Sequence, residues 1–475
     1  MESGDVDVDL VGTASLKMRD PGGGDVRLLF GRLAVVSRFL ALTLAAGACA
    51  GNGTVTENSA PAITTVAAAP TTTVAAPTTV HVIGGWVDDE QAAFRRVLDA
   101  FSAQTGQAVE FFGIERDLPG LLWSQIEAGD APDVVLLPHP GLLRELVEAG
   151  VLVPIEDHVG AAVDRHFAPV WRELGSANGT LYGLFFKVAN KSTVWYDVAA
   201  FAELQLDPPA DWDGWLAVAA ALHEAGRVPL AVAGGDGWVL SDWFENVYLR
   251  TAGPERYDQL ARHEIPWTDA SVKEALSVLG ELLGVSDYLA RGRDGAIEVQ
   301  FAESVRMVFS EAPEAAIVYE GDFVAGFAES ETGALPVTDF DFFEWPSIDG
   351  SPPAVVGGGD VAVLLSDHPG AARLMQYLAT PAAAEVWAAL GGFSSPNRDV
   401  DPAVYPNDVV RASAAALADA EVFRFDLSDL VPAQLGSTRD AGIWGRLQDW
   451  MLSPEDLDTI LEQLESEAAA AYGDG

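Results

Sequence analysis

His81-Val-Ile-Gly-Gly-Trp86 and Gly129-Asp-Ala-Pro-Asp-Val-Val-Leu-Leu-Pro138 bracket the stretch that decides the fold. The first is a short apolar run that reads as a strand. Asp88 to Thr105 follows with Phe94, Val97, Leu98 and Phe101 on one helical face. Ala108 to Phe112 reads as the next strand and Leu118 to Ala128 as the next helix. A turn then feeds a buried strand ending at Leu137, and a helix over Gly141 to Ala149. Strands alternating with helices of this length imply crossover connections and a mainly parallel sheet.

Outward from there, Val188 to Phe327 is rich in helical periodicity, with amphipathic runs at 211–225, 241–251, 271–283 and 297–309. Strand character returns at Asp360-Val-Ala-Val-Leu-Leu-Ser366, before a helix over His368 to Ala379. Another helix over Ser453 to Tyr472 follows. Nearly 400 residues from about His81 exceed what one core usually organises, so two lobes are expected.

The 27 Lys+Arg against 71 Asp+Glu give a net charge of −44, which repels phosphate backbones and argues against nucleic acid as a partner. With 49% apolar residues, the acidity is a solvated skin over a large core rather than a sign of disorder. Lysine occurs only at 17, 187, 191 and 273, so Lys187-Val-Ala-Asn-Lys191 stands out.

The front of the chain reads as an export signal. Arg27, Arg32 and Arg38 precede the apolar run Phe39 to Ala48, and Cys49 follows small residues. That pattern suits cleavage before Cys49 and lipidation of its thiol. Two departures stand out: Ala46 lies where leucine is usual, and the acids before the basic region suggest a later start codon. An uncleaved membrane anchor over Leu28 to Ala48 is the alternative; Arg32 and Arg38 make it costly. Cys49 is the only cysteine, which excludes disulfides within the chain and cysteine-ligated metal sites. Residues 49–80 form a Thr/Ala/Pro tether.

Asn178-Gly-Thr-Leu-Tyr-Gly183, Ser192-Thr-Val-Trp-Tyr196, Gly129-Asp-Ala-Pro-Asp133, Glu320-Gly-Asp-Phe323 and Gly357-Gly-Gly-Asp360 together resemble segments of the sugar-binding extracellular solute-binding proteins of ABC importers. Asp242-Trp-Phe-Glu-Asn246, Arg250-Thr-Ala-Gly-Pro254, Ser394-Ser-Pro-Asn397 and Phe425-Asp-Leu-Ser-Asp429 are similar to its α-glucoside-transport subgroup. Phe185-Phe186 and Lys187 depart from the family pattern, which leaves the exact sugar open. The resemblance implies an α/β, two-lobe periplasmic-binding-protein-like fold with a hinge and an inter-lobe ligand cleft. Its lobes would be 81–187 plus 334–380, and 188–333 plus 381–475. It implies a monomer that closes on a small oligosaccharide or glucoside and hands it to a permease, with no cofactor, no metal and no catalysis. A secreted glycoside hydrolase and a sensory or adhesive lipoprotein are the alternatives. No nucleophile-elbow or zinc-protease motif supports an enzyme.

A sugar offers apolar C–H faces and a rim of hydroxyls, so its site needs aromatic rings beside carboxylates, amides or cations. The residues expected to hold it lie beyond strand ends and at helix starts. They are Trp86, Asp88, Glu90, His139, Lys187, Asn190, Trp238, Asp242, Asp322, Phe323, Gly359, Asp360, Arg439 and Trp444. For several a structural role competes: Asp88 and Asp242 as helix caps, Glu90 and His139 as surface groups, Trp238 as core.

Overall fold

The computed structural model describes residues 78–473 except 115, 116, 437, 439 and 440. It also describes the backbone of three short antiparallel strands near the N-terminus, Asp7–Val8, Ala14–Arg19 and Asp25–Leu29. Cys49, most of the tether and Arg439 lie outside the described residues. No helix among those described is long and apolar enough to cross a membrane.

Among the described residues, ten strands build the two larger sheets of the main unit: β1 Val80–Gly84, β2 Val109–Gly113, β3 Val134–Leu137, β4 Gly183–Asn190, β5 Thr193–Asp197, β6 Leu230–Ala231, β7 Ile317–Tyr319, β8 Phe340–Glu344, β9 Val355–Leu364 and β10 Phe423–Phe425. The opening stretch folds as its periodicity predicts. Helices Asp88–Thr105, Leu118–Ala128 and Pro140–Glu148 alternate with β1, β2 and β3, and β1 pairs in parallel with both of the other strands. Every residue of β3 is buried, as expected of a parallel strand covered on both faces.

Two sheets organise the chain. In the first, β9 lies antiparallel to β3 and β4 and parallel to β10. In the second, β5 lies antiparallel to β7 and β8, and β6 pairs with β7. The chain passes from the first sheet to the second through Lys191 and Ser192, the two residues between β4 and β5. Phe340–Glu344 was expected in the first lobe, but it pairs with β5 along its whole length. The first-lobe boundary therefore belongs after Glu344 rather than at 334. Likewise β10, expected with the second lobe, pairs with Val355–Gly357 of the first sheet. Alternation alone could not reveal either pairing, because long-range partners are not encoded in local period.

Three consecutive glycines let β9 run unusually close to β4, where the register shifts between Asp360 and Val361. A Cβ on Gly357 would stand 2.8 Å from the Ala189 carbonyl oxygen, and one on Gly359 would stand 2.8 Å from that of Lys187. Gly359→Ala is therefore expected to push the strands apart at a cost of about 1–3 kcal/mol, measured by urea denaturation.

The second lobe is held by an aromatic cluster. Trp195, Trp215 and Trp243 are fully buried, and the Trp215 and Trp243 rings stack at 5.4 Å. The helix Trp238–Ala261 passes through this core with Trp243 and Phe244 both buried, so it has no solvent face in that stretch. Gly253 breaks it with a φ of 81°, just before Pro254, which cannot continue the ladder.

Candidate functional site

Lys187, near the end of β4, reaches toward groups that both sheets supply. Its ammonium lies 2.8 Å from the Glu90 carboxylate in the first turn of the helix after β1. It also feels Asp360 of β9 and Asp322, which follows β7 of the second sheet. Burial pushes the Lys187 ammonium down, but these three carboxylates more than offset it and hold the group above its ordinary value. Asp360 is pushed up to about 6 by desolvation, against the pull of Lys187. It retains partial exposure, as do Lys187, Asp322 and Gly359. Together they make a half-enclosed polar site where the two lobes meet.

Trp86 does not offer a ring to this site. It is 3% exposed, packed edge-on to Phe94 and Trp387 at 4.8 Å in the first core. An apolar strand end beside a helix buried its large ring before any ligand could claim it. Its indole N–H nevertheless donates to Asp360 at 3.0 Å, so Trp86 aims a carboxylate that faces the site. Trp86→Phe should lose that bond and leave part of the indole's volume empty, costing about 1–3 kcal/mol by thermal melting.

Other expected residues divide similarly. Asp88 is exposed at its helix start with a φ of 45°, and no side-chain bond caps that helix. His139 is 8% exposed and spends Nδ1 accepting the Leu142 N–H, so it caps the helix Pro140–Glu148 rather than being surface. Burial lowers its pKa. Asn190 is 1% exposed and committed to the hinge: its Oδ1 accepts from the Ser192 N–H, its Nδ2 donates to the Ser413 carbonyl, and its carbonyl accepts from the Asp322 N–H. Asp242 is fully buried and paired with Lys191, not a helix cap.

The aromatic wall comes from the second lobe. Trp238 begins its helix half-buried, with ring centroids of Phe301 at 5.5 Å and Phe323 at 6.1 Å. Lys191 lies over the Trp238 ring, 5.5 Å from its centroid. Trp444 is also half-buried; it packs against Gly237, the residue that starts the Trp238 helix, where a Cβ would stand 2.8 Å from its own. Its indole N–H has no partner among the described residues.

Lys191, Glu320, Asp426 and Asp429 join the site without having been expected there from residue type and position. Lys191 pairs with Asp242 at 3.1 Å and with Asp426 in a very short contact. Burial pushes the Asp426 carboxyl up, but Lys191 and neighbouring donors overcome it and hold the group below the usual carboxylate range. The one signal in the sequence is the second lysine of a lysine-poor chain, four residues after Lys187. A separate polar cavity of about 380 Å³, lined by Gly235, Gln300, Arg446 and Gln448 among others, shares none of these residues.

Residues 85–385 match the model of the family described as bacterial extracellular solute-binding protein. The osmoprotective compounds-binding protein GgtB of Synechocystis is 31% identical over 380 residues, covering 78% of this chain and 88% of that protein. The alpha-glucosides-binding periplasmic protein AglE of Rhizobium meliloti is 30% identical over 389 residues, covering 78% and 83%. Among solved structures, the solute receptor AcbH superposes with a TM-score of 0.73 at 20% identity, covering 83% of this chain and 99% of that one. RafE in complex with raffinose gives 0.66 at 16% identity, covering 83% and 100%. These structural likenesses establish the two-lobe α/β fold. The matched span and the two relatives of similar length carry the assignment: this chain belongs to the bacterial extracellular solute-binding proteins.

Proposed function

We propose that the protein captures a small neutral glycoside or oligosaccharide between its lobes and delivers it to an ABC permease without altering it. The observation that carries this reading is the convergence of Glu90, Lys187 and Asp360 with Asp322 from the other sheet, next to the half-buried rings of Phe323 and its neighbour Trp238. Carboxylates accept hydrogen bonds from sugar hydroxyls in fixed directions, and the rings offer faces for C–H surfaces. Acids outnumber lysines here, which favours ligands rich in O–H donors and disfavours anionic ones. The names of GgtB and AglE support osmoprotective glycosides and α-glucosides as first candidates.

Closure would swing the lobes about the β4–β5 and β8–β9 connections, bringing Asp360 and Trp238 onto opposite sides of the ligand. Cys49 would carry the lipid that holds the protein outside the cytoplasmic membrane. A Cys49→Ser chain should accordingly leave the membrane fraction.

The test is a melting series of the residue 78–475 fragment over glucosides, oligosaccharides, polyols, amino acids, quaternary amines and sugar acids. A ligand at 100 times its dissociation constant stabilises by about 2.7 kcal/mol, a shift of a few degrees. A shift confined to neutral glycosides supports the reading. A shift with sugar acids or amines alone, or turnover of a chromogenic glycoside, overturns it.

A further inference from the structure

Around Lys191 the segments that meet at the hinge gather more buried carboxyl groups than one ammonium can balance. Asp242, Glu245, Glu320 and Asp426 are each at most 1% exposed, and Asp429 is half-buried. Most of their oxygens are accounted for. Glu245 accepts from the Leu427 and Ser428 N–H groups and from the Tyr257 hydroxyl. Asp426 accepts from Lys191, the Ser428 hydroxyl and the Asp429 N–H.

Two oxygens remain. Asp242 Oδ1 accepts from Lys191 at 3.3 Å, but Oδ2 has no hydrogen-bond partner among the described residues, although the ammonium lies 3.1 Å away. Glu320 Oε2 accepts from the Gly321 N–H at 3.1 Å, and its Oε1 has none. The Asp242 carboxyl interacts electrostatically with both Glu320 and Asp426, and of these two only Glu320 shares with it a buried oxygen that lacks a partner. Two bare carboxylates so placed in a dry core repel strongly, whereas a proton held between them turns the contact into a strong hydrogen bond.

We propose that Asp242 and Glu320 hold one proton between them, making a proton-binding site at the root of the hinge. A divalent cation fits less well. The oxygens of Asp242, Glu245 and Asp426 come within 4.8 Å of one another, but Lys191 already stands against two of these groups and Glu245 is committed elsewhere. The site is tied directly to the crossing segment. Asn246 Nδ2 donates to the carbonyls of both Lys191 and Asp242, and the Tyr319 hydroxyl lies 2.8 and 3.1 Å from the same two oxygens. Losing the proton would place unbalanced charge beside the residue on which the lobes turn.

The groups facing the pair set the direction of its titration. Lys191 comes from the hinge, Glu245 from the Trp238–Ala261 helix, Tyr319 from β7, and Asp426 from the segment after β10. Desolvation raises the Glu320 carboxyl to about 8 and that of Asp242 well above its ordinary value. The folded state thus keeps a proton that the unfolded chain has released, and stability falls as pH rises from about 5 through about 8.

The experiment compares the wild type with Glu320→Gln and Asp242→Asn by infrared spectroscopy and by melting temperature between pH 5 and pH 9. The expected result is a protonated-carboxyl band in the wild type at pH 7 that weakens by pH 9. That component should be absent in both variants, and the melting temperature of Glu320→Gln should fall less steeply with pH. Persistence of the full band in both variants, or an unchanged pH slope in Glu320→Gln, overturns the proposal. Should Glu320→Gln not fold, the difference between wild type and Asp242→Asn decides. No ligand is used, so failure of the proposed cargo leaves this test intact.

Discussion

Replacing Lys191 by methionine is expected to destabilise the fold by about 3–5 kcal/mol at pH 8, because it strands the buried Asp426 without its cation. Methionine has a similar length and apolar volume, so packing against Gly358 is largely kept and the loss is chiefly electrostatic. The penalty should shrink as pH falls. In the wild type, Lys191 helps hold the Asp426 carboxyl low despite burial, so this pair contributes stability above the unfolded carboxylate pKa and loses it in acid. Without Lys191, burial alone acts and raises that carboxyl. The mutant therefore takes up a proton on folding, and its deficit closes towards pH 4. Urea denaturation of both proteins at pH 4.5, 6 and 8 would measure this, and a pH-independent difference would show that Lys191 acts through packing alone.

Trp238→Ala is expected to weaken ligand binding by about thirtyfold, or roughly 2 kcal/mol, as truncation of a central aromatic anchor usually does. Trp238 is the ring that touches both parts of the site: it neighbours Phe301 and Phe323 and lies beneath Lys191. Removing it deletes the proposed C–H platform and the cation–π contact that helps fix the ammonium. Titration calorimetry with the best ligand of the melting series gives the affinity, and a parallel melt separates loss of binding from loss of fold. Unchanged affinity would move the platform to Trp444.

Much of the first lobe and half of the polar site are legible in the amino-acid order. The helices over 88–105 and 118–128 end where the apolar spacing predicts. Lys187, Glu90, Asp322 and Asp360, placed in the site on residue type, position and family resemblance, do converge. The residues that depart from expectation share one cause. Trp86, His139, Asn190 and Asp242 are residue types that can serve a ligand or the interior. Sequence gives their neighbours along the chain but not the atoms that reach them from distant segments. Trp86 meets Trp387 and Asp360, Asn190 meets Ser413, and Asp242 meets Glu320 and Asp426 only through tertiary pairing.

What the sequence determined by itself is everything written in local period and composition: alternating strands and helices, a large apolar core under an acidic skin, and the family to which the order of its motifs belongs. What only the tertiary structure decided is the pairing of β8 and β10, and which polar groups share one dry volume. The physical reason is that a carboxyl group's chemistry is set by its solvation and by charges within a few ångströms. Both are properties of packed neighbours, fixed once Lys191 is enclosed among acids drawn from three separate segments.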